Sequence, residues 1–126
     1  MEVSAHIDTF ARDNLPPSEQ WPEFLLDGPD VAYPKRFNCA VELVDAMADR
    51  GHGDRVALRW RQDGKPATMT YRELAALTNR IARVLVEDMK LVPGTRLLLR
   101  GPNNPMMAAS WLAAIKAGLV TVPTMP

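Results

Sequence analysis

Apolar and polar positions fall into regular patterns from residue 38 onward. Asn38 is a side chain suited to capping a helix, and Ala40, Leu43, Val44, Met47 and Ala48 follow it at i, i+3, i+4, i+7 and i+8. That spacing predicts a helix with one buried stripe. Arg50 suits its negative end and Gly51 its stop. Val56, Leu58 and Trp60 then alternate with Ala57, Arg59 and Arg61, the pattern of a strand with one buried face. Asp63-Gly64 predicts a tight hairpin turn, because glycine accepts a positive φ cheaply. Residues 67–70 would return as the second strand.

Thr70-Tyr71-Arg72-Glu73 reads as a capping box, with hydroxyl and carboxylate each accepting from the other residue's N–H. The helix it opens carries Leu74, Leu77, Ile81, Val84 and Leu85 on one face and runs to about Met89. Val92-Pro93-Gly94 ends it. Leu97-Leu98-Leu99 is a continuous apolar run, the mark of a strand covered on both faces. A loop follows at Gly101-Pro102-Asn103-Asn104-Pro105, in which Asn104 can cap and Pro105 fits the first helical position. Met107, Trp111, Ala114 and Ile115 are the expected buried face of the next helix, with Met106 at its entry. Lys116 stands in its last turn, Gly118 ends it, and Leu119 to Val122 form a short strand closed by Pro123.

The order 96–100, 105–117, 119–123 is strand, helix, strand, a βαβ unit with a parallel pair. The expected fold class is therefore α/β. An irregular arm leads into a helix, a β-hairpin, a second helix and a parallel βαβ unit, together an incomplete part of a larger sheet domain. Parallel strands need cover on both faces and partners on both sides. A chain stopping at Pro126, just past such a strand, is expected to be a fragment.

The first 38 residues differ in kind. They hold 3 basic and 7 acidic side chains, a balance of −4, against 12 and 8, or +4, over 39–126. Pro16, Pro17, Pro22, Pro29 and Pro34 exclude a long helix or an interior strand. Yet Phe10, Leu15, Trp21, Phe24, Leu25, Leu26, Tyr33 and Phe37 are too many large apolar groups for a disordered tail. The expected division is a Pro-rich arm over 1–38, pinned by these side chains across a partial α/β domain over 39–126.

Composition narrows the functional classes. The chain has 126 residues, 47% hydrophobic and 24% charged, with no net charge, which argues against a nucleic-acid or membrane-surface grip. Its one cysteine, Cys39, allows no internal disulfide and fits a reducing compartment. No apolar run is long enough to span a bilayer, and the N-terminus does not read as a secretory signal. The expectation is a cytoplasmic location.

Candidate chemistry is sparse. Glycine-rich phosphate loops, a nucleophile elbow and metal-spaced Cys/His/carboxylate clusters do not occur in the sequence. Cys39 begins a helix, where a thiolate could be favoured, but without an evident base it reads as a small buried side chain. His6 and His52 read as exposed loop residues, and Glu87-Asp88 as adjacent acids pointing apart. Arginine outnumbers lysine 11 to 4, with Arg55, Arg59 and Arg61 along one strand and Arg80 and Arg83 on a helix. A solvated face with scattered ion pairs is the expected reading of these. The 101–105 loop and 124–126 lie at carboxyl ends of parallel strands, where ligands collect in open α/β sheets. Pro105 removes one donor from an anion site there, so a structural turn is favoured.

Taken in order, several stretches resemble one family. Thr70-Tyr71-Arg72-Glu73-Leu74 resembles the Thr/Ser-Tyr-x-Glu-Leu motif of AMP-forming adenylating enzymes, among them the acyl- and aryl-CoA synthetases. The segment from Leu112 to Pro123, with Ile115-Lys116-Ala117-Gly118 and Val122-Pro123, resembles their second core motif; Thr121 departs from its usual aromatic or small residue. Between them, Gly94-Thr95-Arg96-Leu97-Leu98-Leu99 and Pro102-Asn103-Asn104-Pro105 are similar to the family's strand and loop. Asp13-Asn14-Leu15-Pro16-Pro17, Gln20-Trp21-Pro22, Tyr33-Pro34, Asn38-Cys39-Ala40 and Gly51-His52-Gly53-Asp54-Arg55 are similar to 2-aminobenzoate- and benzoate-type CoA ligases.

The resemblance implies an N-terminal part of an enzyme of aromatic acid metabolism. The parent would use ATP, Mg²⁺ and coenzyme A to make an acyl-adenylate and then a thioester. The family's phosphate loop, acyl pocket and catalytic lysine would lie beyond this chain, so it assigns no catalytic or metal residue here and leaves cofactor-binding residues unknown. The fragment itself is expected to be inactive and to bind no cofactor. Its partner would be the rest of the parent, or another copy through the open sheet edge. Two other readings stand beside this one: a stand-alone interaction or regulatory module without catalysis, and an independent nucleotide-binding domain with its ligand at Gly101–Asn104.

Overall fold

Asn38 opens the regular part of the chain. Its Oδ1 accepts from the N–H groups of Ala40 and Val41 at 3.1 and 3.3 Å, the expected cap. In the computed structural model, which describes residues 4–25, 28–31, 33–34 and 36–124, the capped helix, α1, occupies 39–52. Gly51 ends its regular winding at φ 84°. Parts of it, Val41–Asp45 and Ala48–His52, wind in wide i→i+5 turns. The looser winding shifts the buried stripe away from the 3.6-residue period. Ala40 and Val44 are buried, whereas Leu43, expected inside, is 58% exposed.

Strand β1 (Val56–Gln62) and β2 (Lys65–Thr70) form the antiparallel hairpin, joined by Asp63 at φ 50° and Gly64 at φ 76°. A bulge between Val56 and Leu58 breaks the strict alternation. Ala57 and Leu58 pack on the core, while Val56, expected inside, faces out.

The capping box forms as read: Glu73 N–H donates to Thr70 Oγ1 at 3.3 Å and Thr70 N–H to Glu73 Oε2 at 2.8 Å. Helix α2 (Tyr71–Arg83) continues as wide turns over Val84–Asp88. Leu74, Ala75, Thr78 and Leu85 are buried; Val84, expected on that face, is exposed because it stands where the winding loosens.

Strand β3 (Arg96–Arg100), helix α3 (Pro105–Lys116) and strand β4 (Val120–Thr124) make the βαβ unit, with β3 and β4 parallel and Arg96 opposite Val120. The fold is thus the mixed α/β arrangement of hairpin, helices and parallel pair that the pattern predicts. Two of its details differ. Leu98 is 62% exposed, so among the described residues one face of this pair is uncovered. Helix α3 buries Ala109, Leu112, Ala113 and Ala114 rather than the expected stripe; Trp111 is 43% exposed and donates from Nε1 to Thr121 Oγ1 at 3.1 Å. The helix is apolar on most sides, so its sequence gives no single face.

One core cluster joins Ala40, Val44, Leu74, Ala75, Ala109 and Leu112, bringing the capped helix, α2 and α3 together. A second, Leu85, Ala114 and Leu119, seats the end of α2 against the βαβ unit. The apolar side chains expected to pin the arm are mostly exposed: Phe10, Leu15, Trp21, Phe24, Leu25, Tyr33 and Phe37 all lie at the surface. Leu26 is outside the described residues. Tyr33 and Phe37 stack on each other, and Trp21 Nε1 donates to the Pro16 carbonyl at 2.8 Å. The arm meets the body through polar contacts instead, at Pro93–Arg96.

Candidate functional site

The carboxyl ends of β3 and β4 point to the Gly101–Asn104 loop. Asn104 is extended and its Oδ1 accepts from Met107 N–H at 2.9 Å, which fixes the start of α3. Pro105 at the first helical position contributes no N–H. With one donor consumed by the cap and another missing, the helix start is a weak place for an anion.

Two open depressions flank the loop. One, of about 400 Å³, is lined by Leu99, Gly101, Pro102, Asn103, Pro123 and Thr124 with Met107. The other, of about 280 Å³, lies beside Leu98, Arg100, Met106 and Ser110. A side chain at Gly101 would begin 3.2 Å from the Met107 methyl, so the small residue keeps the loop close to α3. Met125 and Pro126, expected to share this rim, lie outside the described residues.

The lining mixes apolar side chains with the uncharged polar residues Asn103, Asn104, Ser110 and Thr124, and Arg100 is its one charged group. Nothing in it exchanges a proton near neutral pH or serves as an activated nucleophile. These residues can form one wall of a site, shaping and excluding water, and they do not supply a reaction centre. Among the described residues no three of His, Cys, Asp and Glu come together as metal ligands. No metal-dependent step is assigned to the described residues.

The other sequence candidates are dispersed. Cys39 is partly buried and free. His52 is partly buried and its carbonyl accepts from Arg55 N–H. His6 sits in the arm, where its N–H donates to Ser4 Oγ. Glu87 pairs with Arg83 at 3.3 Å across one helical turn and not with Asp88. Arg59 and Arg61 are exposed, and Arg61 folds back on the Gly64 carbonyl.

Two long-range constraints at the far end of α3 from the loop have no signal in the sequence. Lys116, at the end of α3, contacts Asp45 of the capped helix. Asn38 Nδ2 donates to the carbonyls of Ile115 and Lys116 at 2.9 and 3.2 Å. Two carboxyls lie below their usual range. The Thr70 N–H and hydroxyl hold Glu73 down, against slight desolvation. The Phe10 N–H, together with Arg96 and His6, holds Asp8 down, again against desolvation. Both are structural groups remote from the loop in sequence.

Comparison with known proteins adds what this geometry cannot. Residues 45–126 match the model of a family described as "AMP-binding enzyme". Acetyl-coenzyme A synthetase from Mycobacterium bovis is 33% identical over 103 residues, 76% of this chain and 16% of that protein. 4-Hydroxybutyrate–CoA ligase 1 from Metallosphaera sedula is 33% identical over 92 residues, 71% of this chain and 16% of the ligase. The structure of Klebsiella oxytoca NpsA in complex with 3-hydroxyanthranilyl-AMSN superposes with a TM-score of 0.61 at 30% identity, covering 71% of this chain and 17% of NpsA. The chain thus spans about a sixth of the length of these relatives. In the described residues no helix is long and apolar enough to cross a membrane.

Proposed function

Because the chain belongs to the AMP-binding enzyme family, we propose that it forms the N-terminal part of an AMP-forming acyl-CoA ligase. The complete protein would convert a carboxylic acid and ATP to an acyl-adenylate and pyrophosphate, then pass the acyl group to the thiol of coenzyme A with release of AMP. The observation that carries this reading is the match over 45–126 together with the CoA-ligase relatives. The described residues would supply scaffold and one wall at 101–104. ATP, Mg²⁺ and the reacting groups would be held elsewhere in the protein, in the cytoplasm.

The acid is proposed to be aromatic, of the benzoate or 2-aminobenzoate class. Supporting this are the likeness of the arm motifs to ligases for those acids and the hydroxyanthranilyl ligand bound by NpsA. Acetyl-CoA synthetase relatives favour a small aliphatic acid instead. Thioester formation by the polypeptide carrying this sequence, with benzoate, 2-aminobenzoate and acetate in parallel, separates the two. Higher kcat/KM on the aromatic acids is expected; a preference for acetate would overturn the aromatic assignment but not the ligase. The 126-residue chain alone is expected to release no pyrophosphate. Acid-dependent release from it would overturn its proposed inactivity.

A second reading rests on Leu98 and Val122. They are register partners on adjacent parallel strands, and both are exposed. Such a pair suits an interface with the rest of a parent protein or with another copy. Light scattering of the chain at rising concentration tests the second possibility: a mass independent of concentration removes it.

A further inference from the structure

The N-terminal arm meets the body at one joint, the turn that leads into β3 and the first residue of that strand. The N–H groups of Ile7 and Asp8 both donate to the Pro93 carbonyl at 2.9 Å. Asp8 Oδ2 lies 2.6 Å from Arg96 Nη1, and its Oδ1 accepts from Phe10 N–H at 3.0 Å. The Arg96 guanidinium stands 4.4 Å from the centre of the Phe10 ring. Gly94, at φ 93°, comes so close that a Cβ there would sit 2.0 Å from the Asp8 carbonyl oxygen. The same turn is bonded to β4: Gly94 N–H donates to Gly118 O at 2.8 Å and Val120 N–H to Thr95 O at 3.0 Å.

These bonds hold the arm to the body without burying much apolar surface. Ile7 is 70% exposed, and Phe10 is exposed apart from its contact with Arg96. The body is held differently, by the clusters around Leu74 and Leu85. Segments with few buried apolar contacts open at low free energy, independently of the core. We propose that residues 4–13 are a releasable strap, clipped by Asp8 to Arg96 over the turn that leads into β3 and able to open while the body stays folded. This goes beyond the ligase reading and does not depend on it. Closed, the strap covers the Pro93–Arg96 turn; open, it exposes that turn and the start of β3.

The test uses chymotrypsin, for which Phe10 is a target within the strap, on the whole chain. Cleavage under conditions of rapid reclosing reports how often the strap opens. Asp8→Arg alone and Arg96→Asp alone are each expected to speed cleavage after Phe10 by up to about fivefold, the scale of one exposed ion pair. The double variant restores the ion pair in reverse, though not the Phe10 N–H acceptor or the guanidinium over the Phe10 ring, and is expected to be cleaved more slowly than either single variant. Hydrogen exchange of the Val120 amide, bonded within the body, is expected to stay slow in Asp8→Arg. Unchanged cleavage in Asp8→Arg would overturn the proposal, as would a double variant as fast as the singles. Val120 exchange rising in step with cleavage would also overturn it, since arm and body would then open together.

Discussion

Lys116 Nζ lies 2.5 and 2.6 Å from the two carboxylate oxygens of Asp45, with the side chains only 19% and 24% exposed. The pair ties the last turn of α3 to the capped helix across 71 residues of sequence. It also accounts for a lysine in the segment that resembles the family's second core motif: a charge here fastens the helix that precedes β4. Lys116→Met should lower stability by about 1–3 kcal/mol, the scale of a charge-assisted bond whose partner is left half-buried. Urea unfolding measures this. A double-mutant cycle with Asp45→Asn should show coupling of about 1 kcal/mol or more, and strict additivity would contradict the account.

Asn38 serves two helices at once. Its oxygen caps the helix over 39–52 and its amide nitrogen donates to the carbonyls at the end of α3. Asn38→Asp keeps the first role and loses the second, so it should be less stable than the parent by about 1 kcal/mol or more. Asn38→Ala loses both and should be less stable still. Equal midpoints for the parent and Asn38→Asp in thermal unfolding would show that only the N-terminal cap matters.

Much of this frame is legible in the sequence because its signals are local. Thr70 and Glu73 stand three residues apart, Asp63-Gly64 sits between alternating runs, and Asn104-Pro105 opens a helix; each was placed by contacts within a few positions. What the pattern misplaced needs tertiary information. Leu43 and Val84 turn outward where the winding widens, and Val56 where the hairpin bulges. Trp111 gives up the core to the smaller Ala109 and Ala113, which let α3 approach its neighbours closely. The Asp8–Arg96 and Asp45–Lys116 pairs join residues 88 and 71 apart, a separation no local pattern encodes. At the candidate site, the loop and its cap were legible, but its depressions depend on how β3, α3 and β4 pack.

Acid should weaken the fold through two carboxylates. Glu73 and Asp8 are held below their ordinary range in the folded chain by donors that unfolding removes. The unfolded chain therefore binds protons first, and stability falls as pH drops below the unfolded carboxylate range of about 4 to 4.5. Above that range the contribution is fully present; it is lost as pH falls through the lower, folded values. Urea midpoints between pH 7 and pH 3 should fall more steeply for the parent than for Glu73→Gln. Parallel curves would contradict the capping-box assignment.

Two glycines with positive φ should respond differently to alanine. Gly64, at φ 76°, has open space where a Cβ would be, so Gly64→Ala should cost only the backbone penalty of about 1–2 kcal/mol. Gly94→Ala adds a collision with the Asp8 backbone. It should therefore lower the melting temperature further than Gly64→Ala does, and also loosen the arm. Equal shifts by calorimetry would show that the close approach of arm and turn is absent in solution.

The central claim is that this chain is one part of a larger adenylate-forming ligase. Its most direct test is the mass of the polypeptide in its source cells, read on an immunoblot with an antibody raised against this chain. The account predicts a band several times larger than 14.0 kDa, the size expected if the whole protein has the length of its relatives. A single band at 14.0 kDa would contradict it and leave a short protein whose function lies in what it binds.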